Sequence, residues 1–263
     1  LHDRLADHGL IDNSLEINSN TGICTSSAQA LVNSARAVAS GDCSNALCIG
    51  VEQPSEILKS DAIRVPDDRA SHPGELSKSK WFMSVFLRSM LSDGAGAFFL
   101  ENRPAPDSIS YRIDWSYSRS FAHRTPLCMT LESRSLLLSQ DVGILSEHMK
   151  PCIRELMTGA MARHGEQLGS YRVVLPHLSS FYFKRYMLGV LTELCDGPRV
   201  DYWTNLETKG NTGAASIFIM LDEYARKHPP AHGEKLLLFI PESGQFNFVV
   251  LSLTAIHPDN LPS

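Results

Sequence analysis

The stretch YRVVLPHLSSFYFKRYMLGVLTEL, residues 171–194, decides the fold. Its opening YRVVLPH is a short, valine-rich apolar run that closes on a proline, which is the signature of a buried strand. The remainder, SSFYFKRYMLGVLTEL, reads as a helix, with Lys184 and Arg185 on its solvated face. A strand that feeds directly into a helix is half of an α/β unit.

The same alternation runs outward on both sides. Toward the C-terminus follow VDYWTNLE (200–207), a turn at KGNTGAASI (209–217), a helix AASIFIMLDEYARKH and two strands, KLLLFIPE and FNFVVLSLTAI. Toward the N-terminus lie a helix over roughly 143–164, in which Pro151 implies a kink or a late start, and a strand SISYRIDWSYS. NRPAPDS (102–108) is the clearest linker and divides the chain into 1–104 and 105–263. Before it, SLEINSNT reads as a short strand and the segment after Cys24 as a helix, with Ala28, Leu31, Val32, Ala35 and Val38 at helical spacing and Gly41 as its stop. ALCIGVE (46–52) reads as a buried strand, residues 54–90 as a polar stretch with an exposed loop at SHPGELSKSK, and SDGAGAFFLE as a small-residue strand. These elements predict an α/β protein in two related halves, each a sheet covered by helices on both faces.

Composition excludes several classes. With 263 residues, 43% hydrophobic and 20% charged, the chain is an ordinary globular one. A net charge of -5 and a pI near 6.1 give no basic field for nucleic acid. Apolar runs such as LLLFI (236–240) are far too short to span a bilayer. Six cysteines without zinc spacing or disulfide-scaffold density, and ten histidines without an HExxH pattern, predict reduced thiols, a cytoplasmic location and no metal. The pair Gly94 and Gly96 lacks the third glycine and following helix of a dinucleotide fingerprint, so close packing is the expected role. The start, LHDRLADHG, reads as the tail of an amphipathic helix stopped at Gly9, and we expect a fragment of a longer fold.

Three polar residues sit where strands give way to helices: Cys24, His177 and Asn211. Such junctions gather reactive groups in α/β sheets. A helix start stabilises a thiolate. Each residue also has an ordinary reading: a small buried thiol, a hydrogen-bonded histidine, an asparagine in a turn.

Five ordered blocks join them. SNTGICTSSAQALVNSARAVASGDCSNALCIGVE, SDGAGAFFL, VLPHLSS, KGNTGAASI and PESGQF resemble, in order and nearly in wording, the thiolase-fold ketoacyl-(acyl-carrier-protein) synthase III family. The resemblance covers essentially the whole chain, but starts partway through the family's N-terminal half. It implies a thiolase-like fold of two halves with mixed five-stranded sheets sandwiched by helices, the N-terminal half incomplete.

The resemblance also implies roles. Cys24 carries the acyl group as a thioester; His177 and Asn211 donate to the thioester carbonyl of a malonyl-type or β-ketoacyl extender; Gly244, in ESGQF, supplies an oxyanion N–H beside that of Cys24. Ser243 stands in the family's run of glycines, Ser180 replaces the asparagine of its PHQAN, and Tyr182 stands where a basic residue often receives the carrier. Glu52 is a candidate base of a cyclising variant, with a structural carboxylate as its ordinary alternative. The implied activity is acyl transfer to Cys24, then decarboxylative Claisen condensation in fatty-acid-like, polyketide or resorcinol-type synthesis. Coenzyme A or acyl-carrier-protein thioesters are the implied substrates, with no tightly bound cofactor, and the implied assembly is a homodimer. An acyltransferase of the same fold that forms an ester or amide without decarboxylation, and a non-catalytic partner subunit, are the alternatives.

Overall fold

A computed structural model describes residues 2–11, 14–57, 80–134, 136–195 and 200–260. In chain order the helices are α1 (His2–Asp7), α2 (Ser26–Ser40), α3 (Pro54–Ile57), α4 (Lys80–Met90), α5 (Val142–His164), α6 (Lys184–Leu194), α7 (Leu206–Lys209) and α8 (Ser216–Lys227). The strands are β1 (Asn45–Glu52), β2 (Gly94–Glu101), β3 (Ser110–Ser120), β4 (Met129–Leu131), β5 (Leu138–Gln140), β6 (Val173–Pro176), β7 (Asp201–Tyr202), β8 (Lys235–Glu242) and β9 (Asn247–Ile256).

The centre is a five-stranded mixed sheet ordered β3-β9-β8-β6-β7. β6 runs parallel to β7 and β8, whereas β9 runs antiparallel to β8 and β3. Period-two alternation along β8 and β9 sends side chains to two cores. Leu237, Phe239, Phe248 and Val250 pack with Met149, Ile153, Leu156 and Met157 of α5 and Met187, Val190 and Leu191 of α6. Leu236, Leu238, Ile240, Val249 and Leu251 pack with Ile217, Phe218 and Leu221 of α8 and Ala28, Leu31 and Val32 of α2. Strands buried on both faces explain why LLLFI and FVVLSL are continuous apolar runs and not alternating ones.

The N-terminal part holds a two-stranded antiparallel sheet, β1 with β2, paired from Asn45↔Glu101 to Glu52↔Gly94. Its inner face, with Cys48 and Phe98, joins the α2 and α8 core. Its outer face leaves Leu47, Val51 and Phe99 51–63% exposed, so β1 is half-buried, not buried as its sequence predicts. Gly94 and Gly96 do serve close packing. A Cβ on Gly96 would lie 2.5 Å from the Phe218 Cβ, and one on Gly94 would lie 2.9 Å from Thr212.

Three local expectations are corrected. SLEINSNT forms no strand: residues 14–19 are exposed, with no strand among the described residues beside them to satisfy their backbone groups. The described residues of the polar stretch 54–90, which are 54–57 and 80–90, form helices α3 and α4; most of the expected SHPGELSKSK loop, residues 71–79, lies outside the described residues. α5 does not start late, because Asp141 caps it by accepting from the Ile144 N–H and the helix runs through Pro151. By contrast α2 ends where expected, on Gly41 at φ 83°. Among the described residues, no helix is long and apolar enough to cross a membrane.

Candidate active site

Cys24 lies in the turn before α2 and is half-buried. The next residue, Thr25, does not cap the helix with its side chain. Its hydroxyl donates instead to Glu242 Oε2 at 2.8 Å, and Asn247 Nδ2 donates to the same hydroxyl at 3.3 Å. Glu242, buried at the end of β8, also accepts the Gln245 N–H at 3.3 Å. The expectation of a stabilised thiolate is therefore corrected. Burial, then the negative charges of Glu242 and Glu52, push the Cys24 thiol up to about 12, so the free thiol is protonated at neutral pH.

His177 follows β6 directly. Its backbone N–H donates to Phe239 O at 2.8 Å, which fixes it against β8. The ring is 2% exposed. Nδ1 lies 2.9 Å from Ser216 Oγ in the first turn of α8, and Nε2 is buried with no partner among the described residues. Burial lowers its pKa to about 4, so the imidazole is neutral at physiological pH. A serine suits either tautomer, because a hydroxyl both donates and accepts.

Cys24 and His177 line one cavity. Ser179, Ser243 and Pro241 border it, and apolar walls come from Met149 and Ile153 of α5, Met187 of α6, and Leu178 and Phe183 in the segment before α6. Asn211 does not line this cavity. It is buried one turn before α8, and its Oδ1 accepts the Gly213 N–H at 3.0 Å, which leaves its amide nitrogen as the group free to donate. The Asn211 turn is nonetheless tied to α2, the helix that follows Cys24, and to β1: Ser27 Oγ of α2 donates to Ala214 O, and Glu52 Oε1 accepts the Ala214 N–H at 2.9 Å. Gly213 sits at φ 51° against the Glu52 carboxylate, where a Cβ would lie 2.6 Å from Oε1. Glu52 thus holds the turn that carries Asn211.

The β8–β9 turn lies against Ile23, the residue before Cys24. A Cβ on Gly244 would stand 2.8 Å from Ile23 Cδ1, so a larger residue here would push the Ile23 side chain aside. Gly244 O accepts from the backbone N–H groups of Cys128 (3.0 Å) and Met129 (3.4 Å). Ser243 Oγ accepts from Gln140 Nε2 at 2.9 Å. Ser180 is not among the cavity residues; it caps the turn into α6 by accepting the Tyr182 N–H at 3.0 Å. Tyr182 joins a surface cluster, its hydroxyl 2.8 Å from Ser146 Oγ and 3.0 Å from that of Tyr186, with the Arg185 guanidinium over both rings.

Four contributors were not singled out from sequence: Glu242, Ser216, Ser27 and Gln140. The first three fall inside blocks that carry the resemblance, which was the available signal; Gln140 gave none. Among the described residues, no group of three or more His, Cys, Asp or Glu side chains could hold a metal.

No protein-family model and no curated protein sequence matches the chain. Solved structures do. 3-Oxoacyl-(acyl carrier protein) synthase III from Xanthomonas oryzae is similar at a TM-score of 0.73 and 17% identity, over 96% of this chain and 70% of its own. A variant of OleA from Xanthomonas campestris gives 0.72 and 16%, over 96% and 70%. AbyA1, a tetronic acid condensing enzyme, gives 0.65 and 16%, over 89% and 67%. What identity this low establishes is architecture: the chain has the thiolase-like fold of the synthase III and OleA structures, spanning about 70% of their length.

Proposed function

We propose that the protein is a decarboxylating condensing enzyme that forms a carbon–carbon bond on an acyl-Cys24 thioester. The observation that carries this reading is the neutral His177, with its buried, unpartnered Nε2 on the same cavity as Cys24. A buried polar atom without a partner is costly, and a ligand oxygen would satisfy it.

In the first step the Cys24 sulfur attacks an acyl thioester; the thiol proton passes to the leaving thiolate, and the acyl group stays on sulfur. The raised thiol pKa means that deprotonation accompanies attack and does not precede it. In the second step a malonyl thioester loses carbon dioxide, and its carbonyl oxygen gains the charge of the enolate. His177 Nε2–H, with Ser216 donating to Nδ1, supplies a hydrogen bond to that oxygen; the family resemblance assigns a second bond to the Asn211 amide, whose turn would have to bring it to the cavity. The enolate carbon then attacks the acyl carbonyl, the C–S bond to Cys24 breaks, and the sulfur recovers a proton. Donors preset for developing charge are worth about a hundredfold or more in rate each.

Coenzyme A or carrier-protein thioesters are the proposed substrates, delivered past the Tyr182, Arg185 and Tyr186 cluster, and a homodimer in the cytoplasm the proposed form. The test is carbon dioxide release from malonyl-CoA in the presence of acyl-CoA probes of different lengths. Wild type releases carbon dioxide and forms a β-ketoacyl product; Cys24→Ala forms none. Acylation of Cys24 without carbon dioxide release would favour simple acyl transfer. A wild-type protein that is never acylated would be a non-catalytic subunit.

A further inference from the structure

Resting on the acyl-Cys24 reading, one further pair of residues enters the chemistry. The cavity beside Cys24 is mostly apolar, and Ser243 is one of its few polar points. Its position in the β8–β9 turn is fixed from outside the cavity. The β4–β5 hairpin grips this turn through the Cys128 and Met129 N–H groups on Gly244 O, and through Gln140, the last residue of β5, on Ser243 Oγ. A serine hydroxyl has one proton to give and can accept in addition. The Gln140 amide occupies an acceptor position, at 2.9 Å, and no described residue accepts the Ser243 proton.

We propose that Gln140 is a positioning residue that turns the Ser243 hydroxyl proton into the cavity, where it donates to the oxygen of the thioester formed on Cys24. As sulfur attacks, that carbonyl oxygen becomes an oxyanion. The Ser243 O–H stabilises it by a hydrogen bond, without transferring its proton, and releases it when the tetrahedral intermediate collapses. The hydroxyl thereby adds a side-chain donor to the backbone N–H groups of Cys24 and Gly244 assigned to the same oxygen.

The direction of the Gln140 to Ser243 bond makes the proposal testable at a residue that does not line the cavity. A carboxylate at position 140 can only accept, so it would draw the Ser243 proton away from the thioester. Acylation of Cys24 by acetyl-CoA and by hexanoyl-CoA is followed by intact-protein mass spectrometry, on wild type, Ser243→Ala, Gln140→Glu and the double variant. The expected result is a loss of about 10- to 100-fold in acylation rate for each single variant, more in kcat than in KM. The double variant loses no more than the worse single, because both remove the same donor. The Gln140→Glu loss also lessens as the pH falls from 8 toward 5.5, as a protonated carboxyl regains a donor.

Thermal melts establish that each variant is folded; should Gln140→Glu fail to fold, Gln140→Met takes its place with a smaller expected loss, since the hydroxyl is then free but not aimed. A Ser243→Ala protein acylated at the wild-type rate overturns the inference and leaves the proposed function standing. Losses that multiply in the double variant overturn the assignment of Gln140. A wild-type protein not acylated on Cys24 by either probe rejects the functional reading and takes this inference with it.

Discussion

At Cys24 two influences act in opposite senses. The start of α2 favours a thiolate, while burial and the carboxylates of Glu242 and Glu52 disfavour it, and the outcome is a thiol pushed up to about 12. Alkylation by iodoacetamide consumes the thiolate, so its rate on Cys24 should keep rising with pH through 9 without a plateau. Glu242→Gln removes the charge with the larger effect on the thiol while keeping an oxygen to accept from Thr25. The sign follows directly: less negative charge lowers the thiol pKa, so more thiolate is present at a given pH and alkylation at pH 8 quickens, by up to about tenfold for one pKa unit. Peptide mapping of the labelled cysteine checks it; an unchanged rate in a folded variant would remove Glu242 from the electrostatics of the site. The candidate residues Cys24, His177 and Asn211 were picked out in the sequence by the blocks that carry the family resemblance; the expected strand–helix junction is found only at His177, since Cys24 follows an exposed non-strand segment and Asn211 follows α7. Their electrostatic setting was not legible, since Thr25 and Glu242 are 217 positions apart and only the folded chain brings them together.

At the level of elements, the site depends on how closely β2 lies against α8. The glycines at 94 and 96 let the Asn211 turn and the first turn of α8 rest on the strand, and that turn presents Ser216 to His177. A methyl group on Gly96 would meet the Cβ of the buried Phe218 at 2.5 Å. Gly96→Ala is therefore expected to cost about 1–3 kcal/mol, seen as a Tm lowered by several degrees, and to reduce condensation by displacing α8. Thermal melting and product formation measured on one preparation check both parts, and wild-type values for the two would show that β2 yields freely. DGAGAFF was readable as a close-packing pair because it lacks the rest of a dinucleotide fingerprint. The strand expected at SLEINSNT failed for the complementary reason. Its alternating pattern is strand-like, but a strand needs a neighbour for its backbone groups, and local sequence does not encode whether one is there. Helix α4 escaped notice because polar residues upstream of KWFMSVFLRSM masked its apolar spacing.

Across the whole molecule, stability is unevenly shared between the two parts that meet at the site. β8 and β9 are buried on both faces and anchor two cores, whereas β1 and β2 form a two-stranded pair with one face exposed. A two-stranded sheet is marginal unless something packs on it; among the described residues α2, α8 and the Gly213–Ala215 turn do so, on one side. His177 hangs from the stable sheet through Phe239; Glu52, which holds the Asn211 turn, hangs from the weaker pair. Opening of β1 and β2 would therefore release Ala214 and loosen Asn211 while leaving His177 in place. Hydrogen exchange followed by mass spectrometry should find the β8 and β9 amides exchanging only with global unfolding, and the β1 and β2 amides at least about tenfold faster. Occupancy of Cys24 by a stable acyl group should slow exchange in residues 211–214 more than in β8, because the ligand's carbonyl gives the Asn211 amide a partner and so favours the closed turn. Equal protection in both sheets of the free protein would mean that the exposed face of β1 and β2 carries no cost, and that the Asn211 turn is as firmly set as the histidine.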